Sequence, residues 1–223
     1  MWKRILASFF VLAAATLYGQ ATSSIQATGS ATVTVNPPEQ AQFTVGVVTE
    51  GKTADEAVQQ NAAISNTVQS ALQSLLGVNG TLQTVTYSVY ASYSNTLPQT
   101  IAGYGCNNTV MVTTYNISNI GKLIDAASGA GANSIGGISF GLRNPDPYVQ
   151  QALAQASKQA LAYAAAIAGG LGGKTGAVLS AQQGYSYTPV ATSTLGAGPS
   201  STPVQTGGVT VTATVTVSVQ LVQ

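Results

Sequence analysis

Tyr87, Tyr90, Tyr93, Tyr104, Tyr115, Tyr185 and Tyr187 are the one concentration of a functional residue type in this 223-residue chain. Aromatic rings stack on sugars and on peptide planes, so Tyr87, Tyr90, Tyr93 and Tyr104 are the candidate binding residues for a cell-surface glycan or peptide. The competing reading is ordinary strand tyrosine, which sheet propensity favours. A period of two sets Tyr87 and Tyr93 on one face of a strand and Tyr90 on the other. That division breaks up any single platform and weighs toward the structural role.

Other chemistry is scarce. There is no histidine, so the commonest general base and metal ligand are both missing. The carboxylates are Glu39, Glu50, Asp55, Glu56, Asp125 and Asp146. Asp55, Glu56 and Asp146 sit at expected helix starts, where a negative charge opposes the positive dipole end. Glu39 falls in a turn and Glu50 at a strand end, which leaves little material for a glycosidase pair. The usual Ser-His-Asp triad has no base. The glycine-rich run at 129–137 lacks a following Lys-Ser/Thr, so it is no phosphate loop. Cys106 is the single cysteine and has no cation nearby in sequence to activate it; a buried strand filler is the expected role. No catalytic residue, cofactor or metal is expected, and the chain reads as non-enzymatic.

Charge narrows the partners. Only 6% of residues are charged, with seven Lys+Arg against six Asp+Glu. So few scattered cations cannot neutralise a row of phosphates, which excludes nucleic acid. Lys3 and Arg4 precede a thirteen-residue apolar run, Ile5 to Leu17, too short to span a bilayer but suited to a signal peptide. Small residues place cleavage after Ala21 or after Gly19. The mature chain then has net charge −1 and no expected membrane helix.

The remaining segments supply the elements. Strands are expected over Thr28–Val35, Gln42–Thr49, 85–93, Ile101–Tyr115, Ile135–Leu142, Gly176–Tyr187 and Val209–Leu221, each from its alternation. Thr53-Ala54-Asp55-Glu56 is a capping box opening a helix with Ala57, Ile64, Val68, Ala71 and Leu75 inward and Gly77 as its stop. Ser118 is expected to cap a short helix ending at the glycines 129 and 131. Asp146 before Pro147 is expected to cap a long one, with Val149, Leu153, Ala156, Ala160, Tyr163, Ile167 and Leu171 as its apolar stripe. Pro189–Gly207, rich in Ser, Thr, Gly and Pro, is expected to be a long flexible loop.

The order is β-β-α-β-β-α-β-α-β-β, an α+β class with helices laid on a mostly antiparallel sheet. A shift of 95 residues aligns Gly46 with Gly141, Ala57 with Ala152, Leu76 with Leu171 and Gly77 with Gly172. Either two β-α-β-β halves share one sheet, or the match is coincidence in Ala/Gly-rich sequence.

These segments resemble the SIMPL-domain family of largely exported bacterial proteins, which includes periplasmic immunogenic and oxidative-stress defence proteins. The pieces that carry the resemblance are GKTADEAVQQN (51–61), the Leu-Gly-Val at 76–78, IAGYGCNNTVMV (101–112), IGKLIDAASGAGANSIGGISF (120–140) and TPVQTGGVTVTATVTV (202–217). The resemblance spans about Ile25 to Val222, implies an α+β domain and export, and transfers no active site; the domain is expected over 22–223, after the signal peptide 1–21. Cys106 falls where the family tends to carry a small residue; Gln205 and Gly208 stand where acidic residues are common. The expected function is an exported non-enzymatic envelope protein acting in stress protection or self-assembly, with glycan or peptide binding as the alternative. A homo-oligomer is expected because little charge keeps copies apart and the last strand is long and apolar on one face.

Overall fold

The computed structural model describes residues 23–188, 204 and 206–223. The signal segment 1–21 and nearly all of the loop assigned to 189–207 lie outside the described residues. The elements are β1 (Ser24–Val35), β2 (Gln40–Gly51), α1 (Ala54–Leu76), β3 (Gly80–Tyr93), β4 (Ile101–Thr114), a single 3-10 turn (Ile117–Asn119), α2 (Ile120–Gly129), β5 (Ser134–Gly141), α3 (Asp146–Gly170), β6 (Lys174–Thr188) and β7 (Val209–Val222). The α+β class and the order of strands and helices are as the sequence reading has them.

The strands divide between two antiparallel sheets, β1-β7-β6 and β3-β4-β2-β5, where two halves sharing one sheet were the alternative considered. Each sheet has its own helix layer and its own core. In the first lobe Ala152, Ala156, Ala160, Ala164 and Ala168 of α3 lie against Ile25, Ala27 and the inward valines of β7. In the second, Val68, Leu72 and Leu76 of α1 and Ile120, Leu123 and Ile124 of α2 cover Phe43, Val45, Val47, Val110, Val112 and Phe140. Each core therefore closes one amphipathic sheet with helices on one face only.

The 95-residue echo corresponds to real parallels: α1 and α3 each follow a strand and precede a hairpin, and Gly77 and Gly172 both take positive φ after the helix. The halves are not equivalent, because β5 pairs with β2 and β1 takes the position beside β7. Leu76 is core, whereas its counterpart Leu171 is 61% exposed.

Several local expectations are corrected. The capping box is present, with Glu56 N–H donating to Thr53 Oγ1 at 3.2 Å and Glu56 Oε2 accepting from Thr53 N–H at 3.4 Å. The inward face of α1, however, is Ala57, Asn61, Ser65, Val68, Leu72 and Leu76, and Leu75 is exposed. Ser118 does not cap α2; its hydroxyl donates to Asn116 Oδ1 instead. Asp146 is the first residue of α3 and not its cap, and Asn144 Oδ1 accepts from its N–H.

The α3 stripe also differs. Tyr163, Ile167 and Leu171 are 43% to 61% exposed on the flank of the helix, and the alanines face the sheet. Gly29 explains this: a Cβ there would collide with the Ala156 carbonyl oxygen and the Ala160 nitrogen, so helix and strand backbones meet directly. Only methyl-sized side chains fit such a gap.

Finally, β7 is not an edge. It is hydrogen-bonded to β1 on one side and β6 on the other, and its alternate residues from Val209 to Val219 are buried. Among the described residues the edges fall to β1, β6, β3 and β5.

Candidate functional site

The strand tyrosines do not converge. Tyr87 faces Asn108 across the β3–β4 ladder and Tyr104 faces Ala91, which puts both on the face that carries α1. Tyr90 faces Gly105 on the opposite side, and its ring lies across that glycine: a Cβ at 105 would sit 2.7 Å from the Tyr90 hydroxyl oxygen. Tyr93 lies beyond a register shift, opposite Ile101. Tyr87, Tyr90 and Tyr93 are 47% to 57% exposed, and Tyr104 is half-buried beside Glu50, Lys52 and Gly103. They are the side chains of an edge hairpin, spread over both of its faces. Tyr185 is exposed on β6; the side chain of Tyr187 lies outside the described residues.

Cys106 is fully buried on the helix side of β4. The neighbouring thiol pushes the Tyr87 phenol above its usual pKa, with desolvation adding to the effect. Around it runs a buried polar network: Asn61 Nδ2 of α1 donates to the carbonyls of Val47 (2.7 Å) and Cys106 (3.1 Å), and Ser65 Oγ donates to Asn61 Oδ1 (3.0 Å). This network fixes α1 on the sheet. It offers no solvent-facing group for chemistry.

A different set of residues does converge, where the two lobes join. Glu39, in the turn between β1 and β2, accepts from the Tyr148 hydroxyl at Oε1 (2.6 Å) and from Arg143 N–H at Oε2 (3.0 Å). The Tyr148 bond foremost holds the Glu39 carboxyl below its ordinary range, aided by the backbone N–H groups of Arg143 and Asn144 and by the Arg143 charge, against desolvation. The same bond pushes the Tyr148 phenol up. The Arg143 guanidinium carbon lies 4.5 Å from the centre of the Tyr115 ring, a cation–π stack.

Glu39, Tyr115, Arg143, Asn144, Pro147 and Tyr148 line an open groove of about 610 Å³, and Tyr115 also borders a second one of about 740 Å³ with Pro37, Pro38 and Asn116. Chemically the groove presents a carboxylate already satisfied by its own chain, a stacked guanidinium and two aromatic rings. Glu39 stays ionised and hydrogen-bonded, the opposite of a poised general acid. Among the described residues no three His, Cys, Asp or Glu side chains come together to hold a metal.

Sequence reasoning placed Glu39 in a turn but missed its partners. The usable signal was that Asn36-Pro37-Pro38-Glu39 and Arg143-Asn144-Pro145-Asp146-Pro147 put charges into proline-rich turns of an otherwise charge-poor chain.

The SIMPL family model, described as a protein of unknown function (DUF541), matches residues 25–219, and the chain belongs to that family. It is similar to the 26 kDa periplasmic immunogenic protein of Brucella melitensis biotype 1, 27% identical over 161 residues, covering 70% of this chain and 64% of that protein. The protein of the same name from Brucella abortus strain S19 is likewise 27% identical over 161 residues, with the same coverage of each chain. The chain thus spans somewhat less than two thirds of the length of these relatives.

Proposed function

We propose that this chain is an exported, non-enzymatic protein of the bacterial cell envelope that works by self-assembly. The observation that carries the reading is β3, a fourteen-residue edge strand with no charged residue and its tyrosines and valines exposed to solvent. Such an edge is a template for another strand unless something blocks it. Export to the periplasm is supported by the Lys-Arg start and apolar run of the N-terminus and by the periplasmic naming of the Brucella relatives. A part in stress protection rests on the family resemblance alone; survival of a deletion strain under peroxide tests it.

The decisive experiment combines cell fractionation with N-terminal mass spectrometry and light scattering of the mature chain. A periplasmic species starting near Thr22 and a mass above the monomer at micromolar concentration are expected. Intact Met1 on cytoplasmic protein would refute export, and a monomer would refute self-assembly.

A second reading, a binding module for glycan or peptide, is favoured by the junction groove more than by Tyr87, Tyr90, Tyr93 and Tyr104. Its stacked Arg143 and Tyr115 beside Tyr148 suit an acidic sugar or a peptide carboxylate. Arg143→Ala would abolish retention on such a ligand if this reading holds.

A further inference from the structure

Among the described residues the two sheets have four edges, and these are not alike. On β1, the outward Ser30 N–H is taken by Gln159 Oε1 of α3 at 2.6 Å. β5 has only eight residues and a register shift. Where it stops, the Asn133 side chain closes β2 by donating to Val48 O (2.7 Å) and accepting from Val48 N–H (2.8 Å). β6 starts at Lys174, and its register with β7 shifts twice before Ser180. These are the devices by which sheets blunt their edges. β3 also carries two register shifts, between Thr84 and Thr86 and between Ser92 and Tyr93; from Thr86 to Ser92 its register with β4 is unbroken, and it has no charged residue along its length. Val85, Tyr87, Val89, Tyr90 and Tyr93 on this strand are between 42% and 57% exposed.

We propose that β3 pairs antiparallel with β3 of a second copy, about a two-fold axis through Val89, merging two four-stranded sheets into one of eight. This rests on the self-assembly reading above and names its interface. Facing residues of an antiparallel pair share the same phase of the pleat. Two identical strands therefore meet only with the axis passing through a residue. With the axis at Val89, Tyr87 faces Ala91 of the second copy, Tyr90 faces Ser88, and Thr86 faces Ser92. Each tyrosine in the unbroken stretch meets a small residue, on both faces of the sheet, and Val89 meets its own copy at the axis. Moving the axis to Tyr90 would set Tyr90 against itself and Tyr87 against Tyr93; moving it to Ser88 would crowd Tyr87 against Val89.

The self-complementarity belongs to this strand's own sequence, and a strand without charge has nothing to repel its copy. That is the ground for a second copy as the occupant. The axis stands perpendicular to the sheet, so α1 and α2 of both copies cover the same face, and the interface is isologous.

The test uses the mature chain from residue 22. Light scattering first establishes the mass of the unaltered protein. Val89→Lys sets two ammonium groups against each other at the axis, and the mass should fall by half or more while the circular dichroism spectrum is retained. Val89→Cys, made together with Cys106→Ala because Val89 faces Cys106 across its own hairpin, should give a covalent dimer on mild oxidation. Facing Cα atoms about 4.5–5.5 Å apart are within disulfide reach. Gln183→Cys in the same background, on β6, should give none.

An oligomer that keeps its mass with Val89→Lys and forms no Val89→Cys dimer overturns this interface and leaves self-assembly standing. A dimer from Gln183→Cys instead moves the contact to β6 and overturns it equally. A monomeric unaltered chain overturns both readings.

Discussion

Gly29→Ala is the sharpest test of how the first lobe is built. A Cβ at Gly29 would lie 3.1 Å from Ala160 Cα and closer still to the Ala156 carbonyl oxygen and the Ala160 nitrogen, all backbone atoms that no rotamer change can move aside. Restoring ordinary contact requires α3 to back away by roughly 1 Å, a gap that forfeits about a quarter to a half of the dispersion between facing atoms. The five alanine methyls of α3 that face the sheet, at about 0.8 kcal/mol each, represent about 4 kcal/mol of burial. Losing a quarter to a half of that, with a matching loss on the valines they touch, comes to about 2–4 kcal/mol, at or above the usual range for overpacking. At about 2–4 °C per kcal/mol for a chain of this size, the thermal midpoint should fall by roughly 4–16 °C. Melting followed by circular dichroism measures it, with Gly136→Ala as the comparator because a Cβ there meets nothing within 4 Å. A Gly29→Ala midpoint within a degree of both the unaltered chain and Gly136→Ala would refute the direct contact of α3 with β1.

Four further outcomes are expected. Because the folded-state pKa of Glu39 is lowered from 4.5, its bonds contribute stability above that value that is lost as pH falls through the depressed pKa; Glu39→Gln should flatten the acid side of a stability–pH profile. The raised Tyr148 phenol acts with opposite sign, its stability present below pH 10.0 and lost as pH rises through the folded pKa, so Tyr148→Phe should flatten the alkaline side. Asn61→Leu strands the Val47 and Cys106 carbonyls that its amide serves and should cost about 2–4 kcal/mol in urea denaturation. Cys106 should resist a bulky thiol reagent in the native protein and react at once in denaturant, since the side chain is fully buried; rapid native labelling would contradict that burial.

Local periodicity and cap chemistry were enough to locate the elements. The alternation of Val and Thr through β7, the Thr53–Glu56 box and the Gly77 stop each act over a few residues, and each is present in the fold. A period of two also placed Tyr87 and Tyr90 on opposite faces, which the β3–β4 register shows.

What sequence could not disclose is which strand lies beside which. The pairing of Ser24 with Gln220 and of Val35 with Val209 joins the two ends of the described chain, and alternation says only which side of a strand is buried, never what it is paired to. For that reason β7, the most edge-like strand by composition, lies between two others, and β3 ends its sheet among the described residues. The same distinction governs α3. Several helical faces of Ala, Tyr, Ile and Leu were apolar enough to be inward, and the bare backbone of Gly29, some 130 residues earlier in the chain, selected the alanines. The Glu39–Tyr148 bond likewise joins residues 109 positions apart. It forms because the two proline-rich turns meet where the lobes join, a meeting that only the completed fold brings about.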